Sequence, residues 1–425
     1  MLGGGTFTAQ NKPLPGAYIN FVSLAAASAA LSGRGIATMP LELDWGVSGE
    51  VFEVSSAEFQ KNSMKLFGYH YTDEKLKGVR DLLKNITTLY AYRLNGGGQK
   101  ASGTLATAKY AGTRGNDIKI VTEKSIDDTS KFVVKTLLGT TVVDAQTVSA
   151  VADLVANDYV VFGSTGSLAE GTVALNGGTN ATVDVAAHQA YLDIIESYSY
   201  NAMGVVTNDD SVKDVYVNFC KRMRDEVGAK FQVVLYGKAA DYEGVINVKN
   251  GADLVYWVTG AVAGCAVNKT VLNKLYDGEY AVTTNYTQTE LAQAIKNGEF
   301  VLHKVGADVR VLEDINSLVT TTDTKGDIFK DNQTVRVIDQ IANDIAVLFN
   351  TKYLGTIPND EAGRISLWAD IVKHHAELQS IRAIEDFSDE DVIVERGIDK
   401  RSVVVTDAVT IVNAMAKLYM TVTIA

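Results

Sequence analysis

The sequence predicts an α/β protein: an α/β core with a mixed sheet, an inserted small β-rich domain, and a C-terminal helix-hairpin domain, with extended N- and C-terminal strand arms. Three observations lead to this fold class. Short β-branched segments alternate with amphipathic segments after residue 179, turn-separated apolar runs fill residues 96–178, and small or polar residues alternate with apolar ones near both ends. Alternation with period two is typical of a strand with one buried face, and a period of about 3.6 is typical of a helix.

Residue patterns divide the chain into successive predicted segments. A length of 425 residues suggests two to three domains. Two copies of Leu-Asn-Gly-Gly, at 94–97 and 175–178, mark the ends of the insert, because Asn-Gly and Gly-Gly tolerate the positive φ of tight turns. The segments are an N-terminal arm (1–22), the first part of the core (23–95), the β-rich insert (96–178), the α/β core (179–330), a C-terminal domain (331–417) and a C-terminal strand arm (418–425). An alternative stays open, in which the insert is a decorated hairpin of the main core.

The insert and the core differ in their predicted elements. Within the insert, strands are predicted at 109–121, 131–138, 140–143, 158–162 and 171–175, with a short helical stretch near 148–156. The core is predicted to hold helices at 188–198, 211–227 and 288–297, helical material at 260–275, and strands at 202–206, 231–236, 253–258 and 300–305. Short strands with helices between them indicate a sheet that is at least partly parallel and covered on both faces. Cys220, on the apolar face of helix 211–227, is interpreted as a small core residue.

The last third of the chain is predicted to hold two long amphipathic helices followed by a β-hairpin. The helices cover residues 334–350 and 360–384, and a further helix is predicted at 407–416. The hairpin strands are 392–396 and 401–406. The residues of this hairpin that we expect to accept another strand are Val392, Ile393, Val394, Val403, Val404 and Val405.

Both ends of the chain carry strand-like segments. Their candidate residues are Ala17, Tyr18, Ile19, Phe21 and Val22 near the start, and Tyr419, Met420, Val422 and Ile424 near the end. Terminal residues are usually poorly ordered unless they are tied down, so we expect these strands to join a sheet of the same subunit or of a neighbour. Pro13, Pro15 and Pro40, three of the four prolines, are interpreted as marking an extended region outside the core.

Composition excludes several classes of partner. The net charge of −12 argues against nucleic acid, because binding to a phosphate backbone depends on Lys and Arg. We expect no membrane segment and no signal peptide, since the apolar stretch around 22–31 is short and the first residues lack a basic region. Two cysteines are too few for a disulfide framework or a zinc site, which fits synthesis in a reducing cytoplasm.

No motif predicts catalysis, a cofactor or a metal. Gly237-Lys238-Ala239 lacks the hydroxyl residue of a phosphate loop, and Gly33-Arg34-Gly35 lacks the third glycine of a dinucleotide fingerprint. His374 and His375 are adjacent on a predicted helix, where side chains point about 100° apart and do not easily share one ion. We interpret this pair as core or interface histidines. The acidic run at 386–391 lacks the spacing of a calcium loop and is interpreted as a solvated loop or a subunit contact.

With these residues considered together, the chain resembles the contractile tail sheath proteins of myophages and of phage-tail-like bacteriocins. The stretches that carry the resemblance are Pro13-Leu14-Pro15-Gly16-Ala17-Tyr18-Ile19, Tyr110-Ala111-Gly112-Thr113-Arg114-Gly115-Asn116-Asp117-Ile118, and the C-terminal hairpin, helix and strand. The family usually has Pro where this sequence has Ala111, and often Trp where it has Arg114. Both departures fall in a segment expected to shape the β-rich insert.

The resemblance implies a structural subunit of a sheath that forms stacked hexameric rings around an inner tail tube protein. It implies contraction by rigid-body subunit rearrangement, without nucleotide, that drives the tube through a target envelope. The terminal strands would be donated to the hairpins of neighbouring subunits, and the insert would face outward. Helix 360–384 would face the tube, with Lys373 and Arg382 as candidate contacts. Further implied partners are baseplate and tail terminator proteins, after synthesis in a bacterial host cytoplasm.

Two alternatives stay open. The chain could form the sheath of a related contractile injection or secretion system, which the other components of the particle would reveal. It could instead be an α/β enzyme of unknown substrate, which would need a pocket with perturbed titratable groups.

Overall fold

The computed structural model describes residues 31–424 and, before them, only the backbone of Gly3–Gly5 and Gly16–Tyr18. The chain divides into two compact units. The smaller contains the described residues of Met1–Ser32 and Gln340–Val412, and the larger contains those of Gly33–Asp339 and Asn413–Ala425.

Strands and helices alternate through the described residues. The strands are β1 Gly3–Gly5, β2 Gly16–Tyr18, β3 Ile36–Leu41, β4 Val51–Ser55, β5 Thr88–Arg93, β6 Ala106–Ala108, β7 Ile118–Lys124, β8 Phe132–Leu138, β9 Thr141–Val148, β10 Val160–Phe162, β11 Gly171–Ala174, β12 Ala202–Gly204, β13 Gln232–Tyr236, β14 Val245–Val248, β15 Glu299–Phe300, β16 Leu302–Val305, β17 Asp308–Val311, β18 Ile384–Glu385, β19 Val392–Arg396, β20 Val403–Asp407 and β21 Thr410–Ile411. The α-helices are α1 Ser56–Phe67, α2 Lys77–Leu83, α3 Val185–Ile195, α4 Asp210–Lys221, α5 Leu254–Gly264, α6 Gln288–Lys296, α7 Asn332–Leu348 and α8 Glu361–Ser380. Single π-helical turns extend α4 and α7.

A seven-stranded sheet organises the larger unit. Its strand order is β15-β14-β13-β12-β3-β5-β4, and every neighbouring pair is parallel except β4 with β5. The predicted mixed sheet is therefore confirmed. Met203 and Val233 pack with α3 and α4 on one face, and the alternating residues Ala202 and Val234 pack with α2 and α5 on the other. Cys220 is fully buried in the α4 layer, as predicted.

The strand predicted at 253–258 is wrong, because these residues begin helix α5. Nearly every side chain of α5 is buried, so the run has no polar face, and a short apolar run fits a strand or a buried helix. The helical material predicted at 260–275 is α-helical only as far as Gly264. The helix packs closely on α2, since a Cβ on Gly260 would lie 2.4 Å from the carbonyl oxygen of Leu82.

Pro40 is also placed differently from its interpretation, because it lies buried inside β3. The N–H of Asn201, next to β12, donates to the carbonyl oxygen of Ile36. Because successive residues of a strand direct their N–H and C=O groups to opposite sides, the even-numbered residues of β3, including Pro40, face β12. β12 pairs with β3 only as far as Thr38. Proline is tolerated here because no ladder partner stands opposite its missing N–H.

The segment between the core strands is β-rich. It contains the antiparallel sheet β11-β7-β8-β9 and the pair β10-β6, and Ile118, Ile120, Val134 and Leu138 lie in its apolar core. Strands β8 to β11 lie where strands were predicted, but the strand predicted at 109–121 begins only at Ile118. The residues Thr113–Asp117 form a 3-10 turn instead. The domain limits themselves stay a prediction.

Arg93 joins this segment to the core strands. Its side chain is 1% exposed, and Nη1 donates to the carbonyl oxygens of Gly46 at 3.1 Å and Ala111 at 2.7 Å. The Nε and Nη2 atoms donate to the amide oxygens of Asn95 and Asn180. One buried guanidinium therefore connects the 3-10 turn region with both chain crossings into the insert.

Asp44 holds the same junction from the core side. Its carboxylate accepts hydrogen bonds from Tyr69 at 2.7 Å, Asn180 at 2.9 Å and Thr113 at 3.1 Å. Burial alone would raise the pKa of Asp44, but the hydrogen bonds from Tyr69 and Asn180 and the ammonium group of Lys75 outweigh it and lower the pKa to about 2.

We expect Asp44→Asn to lower the thermal unfolding midpoint at pH 7, by an amount that shrinks as the pH falls. Because the folded pKa of about 2 lies below the ordinary value near 4, the carboxylate stabilises the fold above about pH 4 and loses this contribution between about pH 4 and pH 2. Calorimetric scans across that range test this, with Asp127→Asn, at an exposed loop position, as the control. A difference between wild type and Asp44→Asn that does not change with pH would contradict it.

Candidate assembly site

The predicted C-terminal hairpin is present as β19 and β20. They pair antiparallel, from Val392 opposite Asp407 to Arg396 opposite Val403. The helix predicted at 407–416 is wrong, because Thr410–Ile411 form β21 and pair with β18. The β-branched residues of this segment favour an extended strand. Pairing with β18, which follows α8, satisfies backbone N–H and C=O groups that would stay unsatisfied at the ends of a short helix.

One face of the hairpin packs on α8. Val392 is 3% exposed and joins an apolar cluster with Leu367 and Ile371 of α8. Val394 and Val403 are partly buried against the same cluster. The opposite face is open, with Ile393 and Val404 each 50% exposed.

Both long edges of the hairpin lack a strand partner within the part of the chain that the structure describes. The N–H of Gly397 donates to the carbonyl oxygen of Ser402, and bonded and non-bonded pairs alternate in an antiparallel ladder. Every second residue therefore turns its N–H and C=O outward. These residues are Val394 and Arg396 on β19, and Val403, Val405 and Asp407 on β20. Val392 has the same orientation, but its N–H donates to the carbonyl oxygen of Asp389 in the preceding turn.

An open groove runs beside each edge. The groove between α8 and β19 has a volume of about 700 Å³ and is lined by Ile365, Trp368 and Val394, together with Asp389 and Glu390. Ile365 is 56% exposed. Glu361 and Arg364 also line this groove, so its lining combines apolar and charged side chains.

The second groove lies beside the start of β20. Its volume is about 240 Å³, and its lining includes Phe349, Leu354, Ile357 and Val403 with Arg401 at its rim. Leu354 is 62% exposed. An exposed apolar lining next to an unpaired strand is suited to an extended peptide.

The predicted donated strands lie in three different situations. Ala17 and Tyr18 belong to β2, which pairs with β1 in parallel, whereas Ile19, Phe21 and Val22 lie outside the described residues. The C-terminal candidates belong to no strand that the structure describes, and their exposed fractions are 88% for Tyr419, 74% for Met420, 68% for Val422 and 92% for Ile424. Their pairing with another subunit stays a prediction.

The two candidate tube contacts are exposed. Lys373 lies on the solvent face of α8, and Arg382 follows the helix with a positive φ of 61°. Helix α8 itself ends at Ser380, four residues before the predicted end. Arg382 therefore belongs to the turn between α8 and β18.

His374 and His375 are buried, which agrees with their interpretation as core or interface histidines. Their exposed fractions are 1% and 0%, and their Nε2 atoms lie 3.0 Å from Asp344 and 2.8 Å from Asp407. Neither carboxylate was predictable from the sequence, because neither has a fixed spacing from the two histidines. Among the described residues, no group of three or more His, Cys, Asp and Glu is arranged to hold a metal ion.

Family models of phage tail sheath domains match most of the chain. They are the tail sheath protein Gp18 domain III N-terminal region at residues 34–94, the phage tail sheath protein beta-sandwich domain at 96–180, the phage tail sheath protein central domain at 181–317, and the phage tail sheath C-terminal domain at 324–425.

Whole-chain comparisons agree. The phage-like element PBSX protein XkdK of Bacillus subtilis is 33% identical, with 99% of both chains covered. The crystal structure of a sheath tail protein from Desulfitobacterium hafniense is 36% identical and has a TM-score of 0.84, covering 95% of this chain and 99% of that one. The helical sheath of the anti-feeding prophage in its contracted state shares the fold, with a TM-score of 0.58 and 13% identity over 96% of this chain and 98% of that one.

The chain therefore belongs to the phage tail sheath protein family, whose members are structural proteins. It is a sheath subunit. In the described part of the chain, no helix has the length and apolar character needed to cross a membrane.

Truncating a side chain on the inner face of the hairpin should lower stability much more than truncating one on the outer face. We expect Val392→Ala to lower the free energy of unfolding by about 1–3 kcal/mol, because it leaves a cavity against α8. Ile393→Ala, on the open face, should change it by less than about 1 kcal/mol. Denaturant unfolding of the two variants tests this, and equal losses would show that the hairpin does not pack through the face described.

Proposed function

We propose that this protein is the self-assembling subunit of a contractile tail sheath that surrounds an inner tube and drives it through a target envelope. The observation that carries the proposal is the β19–β20 hairpin, whose two edges lack a strand partner in the described part of the chain and lie beside grooves that expose apolar side chains. Neighbouring subunits would each add a terminal strand to these edges. Likeness in fold to a sheath solved in its contracted state supports the contraction step.

Strand addition is supported by the exposed apolar residues at the C-terminal end. Leu418, Tyr419 and Ile424 are each more than four-fifths exposed in the single chain, which is unfavourable unless a partner covers them. An added strand of about six residues makes roughly six backbone hydrogen bonds, each with a net contribution of about 0.5–1.5 kcal/mol. Burial of each large apolar side chain adds about 1.5–3 kcal/mol.

Proline substitution at a hairpin edge should separate assembly from folding. The N–H of Arg396 points away from β20, so Arg396→Pro removes a donor that the hairpin itself does not use. We expect the soluble subunit to remain folded but to form fewer or no tubes in negative-stain electron microscopy. Arg396→Ala, which keeps the N–H, is the matched control and should assemble normally.

A variant that lacks residues 1–22 and 418–425 tests the terminal strands that we propose are added to the hairpin. It should remain a folded monomer that forms neither rings nor tubes. Tubes formed by the trimmed chain, or normal tubes formed by folded Arg396→Pro, would contradict strand exchange as the mechanism of assembly. A wild-type chain that stays monomeric under all conditions would favour the alternative function, in which the α/β core contains a ligand pocket.

The solvent face of α8 is the proposed contact with the inner tube. Its exposed residues outside the groove lining are Ala362, Ala369, Lys373, Ala376 and Ser380. A free helix face normally carries several charges, whereas here most positions are small or apolar, and small side chains allow another surface to approach closely. Lys373, with Arg382 beyond the helix, would supply the charges that orient the tube.

We expect Lys373→Ala with Arg382→Ala to weaken co-sedimentation of sheath with the purified inner tube and to make it less sensitive to salt. Lys296→Ala with Lys304→Ala removes the same charge from exposed positions in the larger unit and serves as the control. Sheath self-assembly should persist in both variants. Unchanged tube association in the first double variant would exclude this face.

The remaining roles follow from the sheath proposal. The subunit would be made in the cytoplasm of a bacterial host, and its rings would meet a baseplate at one end and a tail terminator at the other. The energy for contraction would be stored in a metastable lattice, so that no nucleotide is needed. The β-rich insert would face outward.

A further inference from the structure

A cavity with basic side chains lies in the larger unit, where α5 ends. It has a volume of about 380 Å³ and is lined mainly by residues between 264 and 274, together with Asn85. Lys269 and Lys274 supply its charged side chains, and its described lining contains no acidic residue. The buried side-chain amide nitrogen of Asn85 has no hydrogen-bond acceptor. We call this site the basic cavity.

Two arginine side chains bond to the backbone that forms the lining of the basic cavity. Arg34 Nε donates to the carbonyl oxygen of Cys265 at 2.7 Å, and Arg336 Nη1 donates to that of Lys269 at 2.7 Å. Arg336 also contacts the carboxylate of Asp314 at 3.3 Å, whereas Arg34 bonds only to carbonyl oxygens among the described residues. Burial and the guanidinium of Arg336 lower the pKa of Arg34 to about 10, so Arg34 is still charged at neutral pH.

Positive charge is therefore in excess around the basic cavity. Lys269, Lys274 and Arg34 form no ion pair with any residue that the structure describes. The protein as a whole carries a net charge of −12, so identical subunits repel one another at a distance. A local excess of positive charge on such a protein is a place where a negatively charged surface can approach favourably.

The smaller unit carries a surface of the opposite charge, the acidic turn at residues 385–391. Five of these seven residues are acidic and none is basic. The exposed members, which form no ion pair among the described residues, are Glu385, Asp386, Asp389 and Glu390. Backbone contacts hold the turn in place, because the N–H of Phe387 donates to Gln379 at 2.7 Å and Trp368 Nε1 donates to the carbonyl oxygen of Asp389 at 3.3 Å. A turn that is already ordered loses little conformational freedom when it binds.

We propose that the acidic turn of one subunit binds the basic cavity of a neighbouring subunit in the sheath. The inference rests on the proposed function, because it needs copies that assemble, and it adds a second kind of contact to strand exchange. Each copy has one surface of each charge, so the contact is head-to-tail and can repeat along a ring or a helix. Exposed ion pairs contribute mainly to orientation and to the rate of association. Strand addition would supply most of the cohesion, and the charged contact would select which neighbour is joined.

Carbodiimide coupling of wild-type tubes tests the contact directly, because this reagent joins a lysine amine to a carboxylate only where the two groups touch. Tubes are assembled from a mixture of ¹⁴N- and ¹⁵N-labelled full-length subunits. We expect cross-linked peptides in which residues 385–391 of one copy are joined to Lys269 or Lys274 of another, with mixed isotopes. Tubes that lack this product would overturn the contact and leave strand exchange intact. A wild-type chain that forms no tubes would overturn the proposed function, and the contact with it.

Reversal of charge on each surface tests whether the two surfaces recognise each other. Lys269→Glu with Lys274→Glu should raise the protein concentration needed for tube formation by about tenfold or more, because like charges would then face each other. Glu385→Lys with Glu390→Lys should have the same effect, and the four changes together should restore assembly.

The matched control is Lys296→Glu with Lys304→Glu, which makes the same charge change at exposed positions of the larger unit and should assemble like wild type. Circular dichroism of the soluble subunits shows whether each variant is folded. A folded fourfold variant that assembles no better than the two double variants would overturn the pairing of the acidic turn with the basic cavity.

Discussion

Backbone groups at the edges of the β19–β20 hairpin, which lack a strand partner in the described part of the chain, are the constraint on which the proposed assembly depends. A strand edge in water presents donors and acceptors that another chain can satisfy, and here both edges lie beside grooves that expose apolar side chains. The inner face of the hairpin packs on α8 through Val392. An edge of this kind would be a liability in a monomer, and in the proposed assembly it pairs with a strand from a neighbouring subunit.

In the larger unit, side-chain hydrogen bonds restrict the motion of the β-rich insert relative to the core. Two chain crossings alone would form a hinge between the insert and the core. Arg93 and Asp44 prevent this by bonding to both crossings and to the 3-10 turn at Thr113–Asp117. The segment Tyr110–Ile118, which carries the clearest family resemblance, therefore shapes a structural junction and has no reactive role in the contacts described.

The buried polar cluster of the smaller unit joins distant parts of the chain. His374 contacts Asp344, which also accepts a hydrogen bond from Ser32, and His375 contacts Asp407 at the end of β20. Buried polar groups of this type are sensitive to the loss of any one partner.

Periodicity in the sequence was enough to predict the amphipathic helices α4 and α7, because each has one apolar and one polar face. Short β-branched runs separated by helices and turns were enough to predict the mixed sheet and the hairpin, and regularly spaced apolar residues were enough to predict α8. Periodicity failed for α5, which has no polar face, and for β21, which is too short to show a pattern. It also gave no sign that Pro40 lies inside a strand, because a proline is tolerated there only where the neighbouring strand β12 is short. The sequence by itself determined the fold class, the hairpin and the apolar character of the chain ends. Only the tertiary structure decided which hairpin edges are open, how Arg93 and Asp44 clamp the insert, and which carboxylates meet His374 and His375, because these depend on contacts between residues far apart in the chain.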